Sequence, residues 1–319
     1  MDEDYPRNIL ELEERFATDE ACREYLARLR WPDGFVCPRC GAGSGWPASR
    51  GRLICGGCRY QASVTAGTIF QDTRKPLRLW FRTVWYVVSQ KNGASAIGLQ
   101  RVLGLGSYAT AWTWLHKLRR AMVRPGRDQL HGRVEVDETF IGGEERNVDG
   151  RQTETKALVA IAAEEDGRGI GRIRMARIAD ASRVALHQFI RASIEPDSVV
   201  HTDGLPAYRG LEAIGYKHDA TVLVREEDRD AAVRLLPRVH RIASLVKRWL
   251  LGTHQGAVRR EHLDYYLDEY TFRFNRRTSR SRGKLFFRLL QQAVQVAPAP
   301  YESIVGGKAG RSTASKPRK

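Results

Sequence analysis

Apolar residues return at helical intervals through residues 8–30, NILELEERFATDEACREYLARLR, where Thr18 and Asp19 can cap a second helix. The pattern then stops. Residues 33–62 are rich in Gly, Cys and Arg and too poor in large apolar groups to build a core of their own. Helical spacing resumes after Pro76 in LRLWFRTVWYVVSQ, breaks at Asn92 and Gly93, continues in ASAIGLQRVLGLG, breaks at Gly106 and ends in SYATAWTWLHKLRRAM. Three short helices joined by small-residue turns predict a helix-turn-helix-like unit over 76–124.

Beyond Pro125 and Gly126 the period changes. RVEVDETFIGG, KALVAIAAEE and GIGRIRMARIA read as strands, residues 181–195 as a helix, and DSVVHTDG as a further strand, which is the order of a mixed α/β sheet. Helical spacing returns over 238–252 and 258–277. In the second of these, REHLDYYLDEYTFRFNRR sets its aromatic residues on one face, a core-packing pattern. The last stretch is polar, Gly-rich and basic and predicts a disordered tail. The expected organisation is a helical lead-in at 1–32, a cysteine-rich module at 33–65, the helical unit at 76–124, a sheet domain at 130–296 and a tail at 301–319.

Charge narrows the partners. The 319 residues carry a formal charge of +16 and a pI near 10.0, a field that concentrates polyanions, nucleic acid first and an anionic membrane surface second. No run approaches the roughly eighteen apolar residues that cross a bilayer. The opening MDEDYPRNILELEERF is acidic where a secretion signal is basic, so a cytoplasmic protein with no membrane partner is expected.

Four of the five cysteines form two Cys-x2-Cys knuckles, Cys37/Cys40 and Cys55/Cys58, with fourteen residues between them. Each knuckle can turn two thiolates toward one point, and four thiolates close a tetrahedral zinc site. Zinc would supply the stability that the apolar content of this segment does not. Arg39, Arg50, Arg52 and Arg59 surround the knuckles, either to contact DNA phosphates or as a solvated charged surface, and Lys117, Arg119 and Arg120 end the expected recognition helix of the helical unit. Cys22 falls on the apolar side of a helix and reads as a packed thiol.

Two carboxylates stand at the ends of strand-like runs. Asp137 follows Val134 and Val136, with its side chain on the opposite face from them, and Asp203 ends VVHTDG. Each reads either as a turn former or, if the strands are neighbours, as half of a site for Mg2+, which takes oxygen ligands and binds phosphates. Glu135 and Glu138 are competitors, placed on the other face and ranked lower. In PRVHRIASLVKRWLLGTHQG, His240 and Lys247 lie two helical turns apart and can meet one phosphate; a lone His on a helix is otherwise a structural residue.

Taken together, the two knuckles, VDETFIGG, HTDGLPAY, HRIASLVKRWLLGTHQG and DEYTFRFNRR resemble the DDE-type insertion-sequence transposases that carry an N-terminal zinc ribbon, along nearly the whole chain. The resemblance is to the variant of the signature with His in the third position. It implies an RNase H-like catalytic core after a zinc ribbon and a helix-turn-helix-like domain. Asp137 and Asp203 become ligands of a catalytic Mg2+ or Mn2+, His240 the third member, Lys247 the basic partner, and Cys37, Cys40, Cys55 and Cys58 the ligands of structural Zn2+.

The implied reaction is metal-dependent cleavage of DNA at terminal inverted repeats and transfer to target DNA. A homo-oligomer forms on DNA in this reading, in a bacterial, nucleoid-associated setting. Two rivals share the motifs: an inactive or domesticated DNA-binding relative, and an RNase H-like nuclease without strand transfer. Inverted repeats flanking the coding frame, with short direct duplications outside them, separate these readings.

Overall fold

The computed structural model describes residues 3–123, 126–142, 156–221, 235–256 and 258–305, the Arg50 side chain apart. Two compact units result, Met1–Arg124 with Ser279–Lys319, and Pro125–Thr278. In the first, helices α1 (Ile9–Arg15) and α2 (Asp19–Arg30) begin where Asn8 accepts from the Glu11 N–H and Thr18 from that of Ala21. Cys22 is fully buried in α2, and burial pushes its thiol up to about 12, so it is a packed thiol as its position predicts. Three short antiparallel strands follow, β1 (Gly45–Ala48), β2 (Arg52–Cys55) and β3 (Gln61–Ser63), and the β1–β2 hairpin fills the interval between the cysteine pairs.

The predicted helices are α3 (Leu77–Ser89), α4 (Ala96–Leu103) and α5 (Tyr108–Ala121). Gly104, left-handed at φ +61°, ends α4, and Ser107 caps α5 by accepting from the Ala109 N–H, so the two helices are joined by a tight turn. Trp80 stacks on Trp114 with ring centroids 4.0 Å apart, and both are buried, as expected of core residues. The basic end of α5 differs from expectation. Arg119 is buried and Lys117 half-buried, so this end packs against the unit, and the exposed part of α5 is its first turn at Tyr108 and Ala109.

The second unit runs β4 (Arg133–Ile141), β5 (Ala157–Asp166), β6 (Gly169–Ile178), α6 (Arg183–Ser193), β7 (Val199–Thr202), β8 (Lys217–Ala220), α7 (Pro237–His254) and α8 (Leu263–Phe274). Its sheet has the order β6-β5-β4-β7-β8; β5 is antiparallel to β4 and β6, while β7 is parallel to β4 and β8. Three antiparallel strands continued by two parallel ones, with helices on both faces, form the RNase H-like α/β arrangement. Leu186 and Ile190 of α6 pack on Val134, Val136, Ala160 and Val200. On the other face, Val239, Ile242 and Val246 of α7 and Leu267 of α8 pack on Val159, Ile161 and Ile173. Because β5 is covered on both sides, it reads as an unbroken apolar run, ALVAIAA, with no alternation.

Strand β8, KHDA, has no such signal; it is a polar edge strand held by its backbone pairing with β7. The FNRR motif is structural. Asn275 accepts from the Ile173 N–H at 2.8 Å and donates to the Ile173 carbonyl at 3.0 Å, while Arg277 donates to the Ile170 and Gly171 carbonyls, so the end of α8 is tied to β6.

The chain then returns to the first unit as α9 (Arg282–Ala293) and α10 (Tyr301–Val305). Phe286 of α9 joins Phe16, Tyr25 and Phe81 in an aromatic cluster, with Phe16 and Phe81 edge to face at 4.7 Å. Where a disordered tail was expected, residues 301–305 are helical and Ile304 is buried; residues 306–319 lie outside the described residues. Among the described residues, no helix is long and apolar enough to cross a membrane.

Candidate active site and metal centre

The knuckles are built alike. Gly41 donates to the Cys37 carbonyl at 2.9 Å and Arg59 to that of Cys55 at 3.1 Å, and both donors are left-handed, at φ +76° and +60°. Each turn thereby points two thiols the same way. The Cys37–Cys58 and Cys40–Cys55 sulfurs lie 3.7 and 3.5 Å apart, and ligand atoms of all four cysteines fall within 4.8 Å of one another. Zinc–sulfur bonds of about 2.3 Å in a tetrahedron give sulfur–sulfur edges of about 3.8 Å, so the four thiols fit structural zinc. The Cys58 N–H donates to the Cys55 sulfur at 3.5 Å, a contact that favours the thiolate a metal needs. Arg39, Arg52 and Arg59 are exposed around this centre, Arg59 with its guanidinium 5.1 Å from the centroid of Trp46; the Arg50 side chain is outside the described residues.

The acidic residues sit in the second unit. Strand β4 presents Glu135, Asp137 and Thr139 to α7, in three rungs. Glu135, fully buried, accepts from the backbone N–H groups of Arg238 and Val239 at 2.7 and 3.0 Å and from the Arg238 guanidinium at 2.7 Å. Asp137 Oδ2 lies 3.8 Å from His240 Nδ1. Thr139 accepts from Lys247 Nζ at 2.8 Å. Four strand steps from 135 to 139 and nine helical steps from 238 to 247 each span about 13 Å, so strand and helix advance in step. Burial, and after it the charge of Lys156, hold the Lys247 ammonium below its ordinary value, against the pull of Asp137.

The face assigned to Glu135 needs correcting. Side chains two apart in a strand share a face, so Glu135 lies on the Asp137 side; Glu138 alone is across the strand. Helix α7 has Leu236 and Pro237 at its start and no side-chain cap of its own. Glu135 fills that role from the sheet, accepting two of the orphan N–H groups where the helix dipole favours a negative charge.

Asp203 follows directly on β7. In the parallel pairing Glu135 faces His201, the last rung of that ladder, and Asp203 lies two residues beyond His201, just past the strand end. Its Oδ1 accepts from the Leu205 N–H at 3.0 Å, so Asp203 is also a turn former, with one oxygen. The Tyr208 hydroxyl marks the same place: it donates to Glu138 at 2.8 Å, and its ionisation is pushed well up by burial first and then by Glu138, Asp137 and Asp203. Glu135, Thr139 and Tyr208 carry no distinguishing pattern in the sequence, since each is recruited by a partner distant in the chain.

A second cluster, Glu135, Glu165 and His201, also has metal-ligating atoms within 4.8 Å. Arginines already balance it: Arg238 bridges Glu135 and Glu165, at 2.7 and 3.4 Å, and Arg133 joins Glu165 at 3.0 Å and Asp219. It is an ion-pair network under the sheet end and not a second metal site.

Residues 17–61 match the transposase zinc-ribbon domain and residues 129–275 the ISXO2-like transposase domain. Over 290 residues the chain is 28% identical to an uncharacterized protein in transposable element ISH50 of Halobacterium salinarum, covering 84% of this chain and 94% of the relative. Among solved structures it is similar to a simian T-cell lymphotropic virus intasome in complex with PP2A regulatory subunit B56 gamma, at 15% identity over 68% of this chain and 76% of that chain, with a TM-score of 0.31. A second similarity is to the Mos1 strand transfer complex, at 14% identity over 76% and 82% of the two chains, with a TM-score of 0.25. These superpositions are loose, and the strand order defines the fold. The chain thus carries, in this order, a segment that matches a transposase zinc ribbon and one that matches an ISXO2-like transposase domain.

Proposed function

We propose that this chain is an insertion-sequence transposase that binds the terminal inverted repeats of its element and catalyses metal-dependent cleavage and strand transfer, with Asp137, Asp203, His240 and Lys247 as its catalytic group. The observation that supports the reading is the rung at which His240 meets Asp137, on the strand that pairs with the one Asp203 follows. Two carboxylates on neighbouring strand ends supply hard oxygen donors suited to Mg2+ or Mn2+, and such an ion polarises a phosphate and acidifies its bound water. The chain's own residues do the rest. Asp137 turns the His240 ring, so that the imidazole orients a water or a phosphate oxygen without adding negative charge to a site that must admit a polyanion. Lys247, held on Thr139, pairs with the phosphate of the bound strand. The zinc ribbon and the helix-turn-helix-like helices of the first unit engage the repeats, and a dimer or higher assembly brings two ends together.

A strand-transfer assay tests this, with purified protein, duplexes carrying the flanking repeat, and Mg2+ or Mn2+, beside the Asp203→Ala variant. Metal-dependent joining by the wild type alone supports the reading. Binding of the repeats without cutting or joining overturns it in favour of a DNA-binding relative.

A further inference from the structure

Helix α6 carries a basic ridge along the edge of its buried face. Arg183, His187 and Arg191 recur every fourth residue and so line up over about 12 Å of helix. Arg183 and Arg191 are exposed, and neither has a carboxylate partner among the described residues. Between them Val184 is 78% exposed, and with Gln188 and Ala192 the ridge lines an open depression of about 640 Å³. His187 is buried to all but 9%, and its Nε2 has no hydrogen-bond partner among the described residues. Its ring is hydrogen-bonded to the backbone of Tyr208, the residue whose hydroxyl donates to Glu138 beside Asp137 and Asp203.

We propose that this face of α6 is a nucleic-acid contact in its own right, holding the phosphate backbone of duplex DNA beside the loop that follows Asp203. Two guanidinium groups with no carboxylate partner among the described residues match phosphate oxygens in geometry and charge. Contacts made to phosphates carry no sequence information, so the contact is independent of sequence. The imidazole of His187 is held below its ordinary value by burial and then by Arg183 and Arg191; a bound phosphate offsets that repulsion. The choice of DNA as the polyanion rests on the transposase reading.

The test uses the full-length chain and a random-sequence duplex lacking the repeats, titrated over a range of salt concentrations, with wild type beside the Arg183→Ala/Arg191→Ala double variant. Both residues are exposed, and an unchanged thermal midpoint checks the fold. Loss of two phosphate contacts is expected to lower the slope of log affinity against log salt by about 2 and the affinity near 0.1 M salt by about tenfold or more. A photoreactive phenylalanine analogue in place of Val184 is expected to crosslink to the duplex. An unchanged slope overturns the proposal, and so does a crosslink that joins two protein chains, which would make the face a protein interface. A double variant with an unchanged slope beside a wild type that cuts and joins repeats refutes the α6 contact alone. A wild type that does neither refutes the transposase reading.

Discussion

His240 meets Asp137, Nδ1 to Oδ2 at 3.8 Å, in the middle of three rungs that tie α7 to β4. The rung before it, Glu135 on the first turn of α7, fixes where the helix begins and therefore which residue faces Asp137.

Replacing Glu135→Gln keeps the volume and removes the charge that caps α7 and balances Arg238. Stability is expected to fall by about 1–3 kcal/mol, the range for a hydrogen-bonded charged group left partly satisfied. Cleavage should slow by about tenfold or more while repeat binding stays within about twofold of wild type, an effect of about 1.4 kcal/mol on the barrier. Denaturant melts and single-turnover cleavage measure both, and a destabilised variant that cleaves normally would show that Glu135 supports the fold without placing His240.

Asp137→Ala and Asp203→Ala are each expected to reduce cleavage by more than about a hundredfold, the scale on which removal of one transition-state-stabilising group acts. Binding of the repeats, measured by fluorescence anisotropy, stays intact. If both variants lose binding, the division of labour between the two units is wrong.

His240→Ala is expected to slow joining by roughly a hundredfold, the lower end for a group that manages a proton or a water, with binding retained. Full activity in this variant would leave His240 as a helix residue that happens to pass Asp137.

Native mass spectrometry is expected to find one zinc per chain, lost in Cys37→Ser together with the ordered ribbon, because binding free energy is folding free energy in such a module. Hydrogen exchange should then rise over residues 33–65 and stay unchanged over 133–178. Normal zinc content in the variant would refute the four-thiol site.

An acid limb of stability is expected from Glu164. Burial alone would raise its carboxyl, but the Arg172 guanidinium and the N–H groups of Arg172 and His131 outweigh it and hold the group below its ordinary value. The contribution is fully present above the ordinary carboxylate range and is lost as pH falls through the lower folded value. Denaturant midpoints of wild type and Glu164→Gln should therefore converge as the pH is lowered. A gap that stays constant with pH assigns the effect to packing.

Signals that depend on neighbours in the chain could be read before the fold was known. The knuckles, the three helices and strands β4 to β7 all have local periods or spacings, and His240 and Lys247 share a helical face by counting alone. The face of Glu135 is equally countable, two residues from Asp137 along one strand. Arg119 was not countable: a basic residue in the last turn of a helix suits solvent and dipole alike, and only packing shows it buried. Strand β8 is made by backbone pairing, which KHDA does not advertise, and the return of α9 to the first unit depends on Phe286 finding Phe16 and Phe81, a choice with no local trace.

The cap supplied by Glu135 has a consequence for change over generations. A helix whose start is set from the sheet does not rely on the preceding segment to deliver it in phase. Substitutions elsewhere in the sheet domain leave His240 facing Asp137 as long as the Pro237-Arg238 start still reaches Glu135. A single buried carboxylate on the strand thus keeps the helix in phase with the sheet.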